Sequence, residues 1–202
     1  MINSESFILP EKNYIKSETI KKQIIIGHTG SINMNHYNKW LYRLNGNYLK
    51  TAPFTIDFNG NVLQHYDPIY TSKILENNEL DNRSIVILLE NEGWLLFNDK
   101  KNEHINWVGD IYKRELPILE KRWRGYTYWA PYSDEQFEST LKLVKKLCEE
   151  FYIPKFSIGH NTKMDDAISF EGISYRSNLE KHYNDLSPAW DFENFKNRIE
   201  NE

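Results

Sequence analysis

The apolar positions of this chain fall into two kinds of run. Ile24, Ile25 and Ile26 after Gln23, and Ile85 to Leu89 after Ser84, are unbroken aliphatic segments of strand length. Being apolar on both faces, they predict strands buried inside a sheet. Gly27 closes the first, and Asn91-Glu92-Gly93 closes the second. Elsewhere the period is helical. Tyr37, Trp40, Leu41 and Leu44 predict a helix over Asn35–Leu44 stopped by Asn45-Gly46. Phe137, Leu141, Val144, Leu147, Cys148 and Phe151 form one stripe, which predicts the longest helix over Ser133–Phe151 with Pro154 beyond it. Its start, Ser133-Asp134-Glu135-Gln136, has the form of a capping box. Phe192, Phe195 and Ile199 predict a short terminal helix from Asp191 to Ile199.

Phe54–Phe58 and Asn61–Tyr66 flank Asn59-Gly60, the sequence of a tight hairpin. The Lys- and Asn-rich stretch Asn98–Glu103, flanked by Trp94 and Trp107, reads as a surface loop. Strands interleaved with helices, one pair of strands being a hairpin, predict an α+β fold: one domain over residues 1–202, a central mixed β-sheet flanked by helices. Residues 1–20 read as an N-terminal extension.

Composition narrows the function classes. The 202 residues carry a formal net charge of −4 with cations scattered among anions, so no basic stripe for nucleic acid is expected. Cys148 is the only cysteine, which excludes an internal disulfide and a multi-cysteine metal cluster. Met1–Pro10 lacks the basic and apolar regions of a secretory signal, and no apolar run approaches a membrane span, so a cytoplasmic protein without membrane insertion is expected.

Four segments in order resemble the zinc-dependent N-acetylmuramoyl-L-alanine amidases that cut peptidoglycan. The first is Gln23 to Ser31 (QIIIGHTGS), similar to a first strand that ends His-x-Thr. The second is Ala52 to Gln64 with Tyr66-Asp67-Pro68, similar to the hairpin that covers the site. Asp81 to Asn91 stands where the family has Ser-Ile-Gly-Ile-Glu. The fourth runs from Tyr132 through the long helix to Ile158-Gly159-His160 and on to Asp185-Leu186-Ser187-Pro188-Ala189-Trp190-Asp191-Phe192. Together they cover about residues 20 to 200.

The resemblance implies a peptidoglycan-recognition type fold and a zinc ion held by two histidines and a carboxylate or cysteine, with one position left for water. It carries His160 onto the second histidine and Asp185 onto the carboxylate. Other functional positions hold different residues: Gly27 stands at the first metal-binding histidine, Leu88 at the catalytic glutamate and Ile74 at a groove histidine. Tyr183 replaces a basic residue two before Asp185 and is retained as a candidate for proton handling. His28, next to Gly27, is a substitute ligand only if a bulge turns it, because successive strand residues face opposite ways. Glu90 shares a strand face with Leu88 and is a candidate displaced acid or base. His36, His65, His104 and His182 read as structural or exposed, and Trp123, Tyr126, Tyr128 and Trp129 as core packing or a sugar-binding surface.

The resulting expectation is an amidase-fold protein with impaired chemistry that binds peptidoglycan, a muropeptide or a protein partner. The alternatives are an active zinc amidase of the cell-wall hydrolase or endolysin kind, and a structural or regulatory component of a phage or mobile element. Sites for Zn2+ on the first reading are incomplete.

Overall fold

The structure, a computed structural model, describes residues 7–31 and 35–201, with side chains in the second stretch described from Tyr37 onward. Its centre is a five-stranded sheet in the order β3-β2-β4-β1-β9, formed by β1 (Gln23–His28), β2 (Phe54–Ile56), β3 (Val62–Gln64), β4 (Ser84–Leu89) and β9 (Gly172–Tyr175). All neighbours are parallel except the β2–β3 hairpin. All six residues of β1 and of β4 are buried, which is why both read as continuous apolar runs.

Strand alternation sends Ile24, Ile26, Ile85, Ile87 and Leu89 to one face, under α3 (Asp134–Phe151) and α5 (Phe192–Asn201). It sends Ile25, Val86 and Leu88 to the other, where Leu9, Trp40, Tyr66, Leu75 and Leu80 meet them. Each such aliphatic side chain contributes about 1.5–3 kcal/mol by leaving water. Gly27 and Leu88 are register partners at the C-terminal ends of β1 and β4 and lie on the second face.

The helices keep the predicted order with corrections at their ends, α5 running two residues past the predicted Ile199. α1 spans Asn35–Tyr42 and gives way to a 3-10 turn over Arg43–Gly46, where Leu44, Asn45 and Gly46 have positive φ. The predicted end at Leu44 is therefore two residues late, because the left-handed stop begins before Gly46. At α3, Ser133 Oγ accepts the Gln136 amide at 3.0 Å, but the other half of the capping box does not form. Instead Gln136 Nε2 donates to the carbonyls of Ile56 (3.0 Å) and Glu90 (3.2 Å), tying the helix to the ends of β2 and β4. Gly60 makes the hairpin turn at φ +81°, and a Cβ there would come within 2.6 Å of the Glu135 carbonyl, so glycine is required twice over.

A second sheet corrects the reading of Asn98–Glu103. That stretch is the turn between β5 (Trp94–Asn98) and β6 (Glu103–Ile105), in a four-stranded antiparallel sheet completed by β7 (Leu119–Trp123) and β8 (Tyr126–Trp129), in the order β6-β5-β8-β7. Trp129 is fully buried there with its Nε1 donating to the Lys121 carbonyl at 2.8 Å, and Trp94 stacks on Tyr126 with centroids 4.3 Å apart. Within the first 20 residues, the described part is packed into the fold: Asn13 Nδ2 donates to the carbonyls of Trp40 and Tyr48, and Ile15 bridges to Thr71. A six-residue helix, α2 (Asn78–Arg83), leads into β4, and α4 (Arg176–Leu179) follows β9 directly.

Candidate functional site

A groove of about 590 Å3 opens at the C-terminal ends of β1 and β4, with Trp40, Ile74, Leu88, Trp107, Arg176 and Tyr183 among its lining. Glycine at position 27 lets another side chain into its floor. A Cβ on Gly27 would lie 2.5 Å from Arg176 Cδ and 2.5 Å from Asp185 Oδ2, so the volume a longer residue would need is already filled. Arg176 Nη1 donates to Asp185 Oδ2 at 3.1 Å, and the His28 backbone amide donates to the same oxygen at 3.0 Å. The Arg176 guanidinium also sits 4.3 Å from the centre of the Tyr183 ring. Burial works against its charge, but Asp185 and Tyr183 outweigh that and raise its pKa further.

A second arginine fixes the segment that carries this pair. Arg124, in the β7–β8 turn, donates to the carbonyls of Ser177 (2.7 Å), Glu180 (3.1 Å) and Tyr183. Asn178 adds bonds from its Nδ2 to Gly159 (3.2 Å) and Thr162 (2.6 Å), joining α4 to the loop that holds His160.

The imidazole of His28 lies on the face opposite Gly27, as strand alternation requires. Its Nδ1 is 3.2 Å from Tyr132 Oη and its ring rests on Gly93, where a Cβ would come within 2.9 Å. Burial lowers its pKa despite the nearby Asp185. The His160 ring stacks on Phe192 at 4.3 Å and meets Trp123 at 4.9 Å, leaving a buried Nε2 without a hydrogen-bond partner. Burial, with Lys121 and Arg124 nearby, pushes its pKa down to about 4. Glu90 is paired with Arg114 at 2.7 Å, and Arg114 in turn stacks over Phe58 at 3.6 Å. Burial pushes the Glu90 carboxyl up to about 7 against the pull of Arg114. Leu88 and Ile74 are buried apolar residues.

Of the remaining histidines, His65 is buried between Thr55 Oγ1 (2.7 Å) and the Phe7 carbonyl (2.9 Å), with its pKa pushed down to about 4 by burial. His104 packs on Phe97 and Tyr128, and His182 reaches the groove beside Tyr183. The side chain of His36 lies outside the described residues. No signal in the sequence singles out Arg176 or Arg124: between His160 and Asp185 lie Lys163, Arg176 and Lys181, and the fold selects Arg176 as the partner of that carboxylate.

The residues present do not fit a zinc ion. Asp185, the candidate carboxylate ligand, has its Oδ2 engaged by a guanidinium and an amide, and Arg124 adds a second positive charge in its field. Gly27 offers no donor, and His28 presents its ring to Tyr132 and Gly93. Among the described residues no group of three or more His, Cys, Asp or Glu converges as metal ligands do.

A family model described as N-acetylmuramoyl-L-alanine amidase matches residues 17–169. Among solved structures, the N-acetylmuramyl-L-alanine amidase AmiD of E. coli, in complex with its substrate anhydro-N-acetylmuramic acid-L-Ala-D-γ-Glu-L-Lys, superposes with a TM-score of 0.58. The identity is 12%, and the match covers 96% of this chain and 66% of that one. The amidase LysC from Clostridium intestinale URNW matches at 11% identity and a TM-score of 0.56 over 95% of each chain. The catalytic domain of XlyA matches at 14% and 0.53 over 96% of each. At these identities the likeness shows the fold alone. No curated protein sequence matches this chain. No helix among the described residues is long and apolar enough to cross a membrane.

Proposed function

Because the chain belongs to the N-acetylmuramoyl-L-alanine amidase family, we propose that it uses the family's groove to bind peptidoglycan fragments without cleaving them. One observation carries this reading: the Arg176–Asp185 ion pair fills the space beside Gly27 in which the resemblance would place a metal-binding histidine. Within the pair, Arg176 supplies Asp185 with its counter-charge from the chain itself. A guanidinium with a pKa raised above its ordinary value delivers neither hydroxide nor a titratable proton at neutral pH. Leu88, where the family has its glutamate, has no proton to exchange. Glu90 does not make good the loss, because it is held by Arg114 away from the residues that line the groove.

Binding survives the loss of chemistry because the groove remains open and mixed in character, with apolar, aromatic and charged side chains in its lining. The test is a pull-down on purified peptidoglycan with and without chelator, with the turbidity of the suspension followed in parallel. Retention that is unchanged by chelator, with constant turbidity, is the expected result. A fall in turbidity that chelator abolishes would overturn the reading.

A further inference from the structure

The groove's lining combines a rigid aromatic face with a cluster of cations, and from this we infer that it selects muropeptides bearing free carboxylates over their amidated forms. Trp107 supplies the apolar contact, and Lys39 and Arg43 determine the charge specificity. The inference rests on the binding reading above.

Trp107 is 55% exposed, unusual for so large an apolar side chain, yet it is held in place. Its Nε1 donates to the Gly30 carbonyl at 2.6 Å, fixing the indole edge. Its backbone belongs to a tight turn organised by Asn106, whose Oδ1 accepts the amides of Val108 (3.2 Å) and Asp110 (2.9 Å). Asn106 is itself anchored through Nδ2 to the buried Glu92 at 2.7 Å. An exposed ring whose rotamer is already fixed loses little entropy when a ligand stacks on it, and this ring borders the groove. The apolar face of a sugar ring suits such a surface.

The charge is unevenly placed. In a chain of net charge −4, the groove lining gathers Lys39, Arg43, Lys50 and Arg176 against the carboxylate of Glu76. Lys50 is paired with Glu76 and Arg176 with Asp185, so the net positive character of the groove comes from Lys39 and Arg43. Arg43 is steadied 4.9 Å above the Tyr48 ring. A carboxylate entering here gains charge-assisted hydrogen bonds that a carboxamide gains only weakly.

The experiment titrates the full chain calorimetrically with N-acetylmuramoyl-L-Ala-D-γ-Glu-L-Lys and with the same compound carrying carboxamides. We expect the amide to bind about tenfold more weakly, with the preference shrinking as salt is raised. Lys39→Ala combined with Arg43→Ala should bind both compounds at the level of the amide. Trp107→Ala should weaken both alike and keep their ratio, while Trp107→Phe, which retains a ring, should recover part of the loss. Wild-type protein that binds both compounds equally overturns the inference and leaves the binding function standing. Wild-type protein that binds neither overturns both.

Discussion

At Gly27 the missing side chain leaves space that Arg176 and Asp185 fill. Asp185 is buried, and a buried carboxylate needs a counter-charge; Arg176 provides it by running through the space that a Cβ at position 27 would occupy. We therefore expect Gly27→Ala to cost about 1–3 kcal/mol, since the clash falls on two side chains held by each other. Arg176→Ala should cost about 3–5 kcal/mol by stranding Asp185. In the double variant the alanine at 27 should cost less than it does alone, a coupling that a denaturation cycle measures directly; strict additivity would show that the two positions do not compete for space. By the same logic Gly27→His with Leu88→Glu should fail to restore a metal site unless Arg176 is also trimmed.

Glu90 makes a second prediction at this scale. Its folded pKa, about 7, stands above the ordinary carboxyl value, so its contribution to stability is complete below pH ~4.5 and is lost as pH rises through 7. The groups facing it are Arg114, Asp57 and Glu92. Over that window wild-type protein should lose stability relative to Glu90→Gln, by at most about 3 kcal/mol, as read by urea denaturation at several pH values. A flat difference would contradict the burial argument. The turn of the His28 ring away from the face of Gly27 was legible in the sequence, because strand alternation is a local fact. Arg176 was not, because its role depends on a fold that returns the chain to β1 after a long excursion.

Elements with strong periods were read correctly: β1, β4, the Asn-Gly hairpin and α3 each carry their whole signal within one segment. The second sheet was not legible. β6 has three residues, the register shifts between Glu120 and Trp123, and the β5–β6 turn is rich in Lys and Asn, so no clear period survives. Its consequence for the site is specific. The β7–β8 turn brings Arg124 to three carbonyls of the 177–183 segment and Trp123 Nε1 to Asn161 Oδ1 at 3.1 Å, so this small sheet braces the loops that carry Arg176 and His160. Arg124→Ala should speed amide hydrogen exchange in residues 176–186 by roughly tenfold or more, the equivalent of about 1–2 kcal/mol of local stability, while β1 and β4 keep their protection. Uniformly faster exchange would assign Arg124 a global role instead.

At the scale of the whole molecule, the chain belongs to the amidase family and has its mixed sheet flanked by helices, with a groove at the ends of β1 and β4. On the function proposed above, the groove receives a ligand while the Arg176–Asp185 pair takes up the carboxylate that a metal would need. The most direct test of that account is mass spectrometry of N-acetylmuramoyl-L-Ala-D-γ-Glu-L-Lys after incubation with the wild-type chain and added zinc, at a concentration where binding is saturated. Intact muropeptide should be recovered in full; free L-Ala-D-γ-Glu-L-Lys that disappears again when chelator is present would show that the site cleaves.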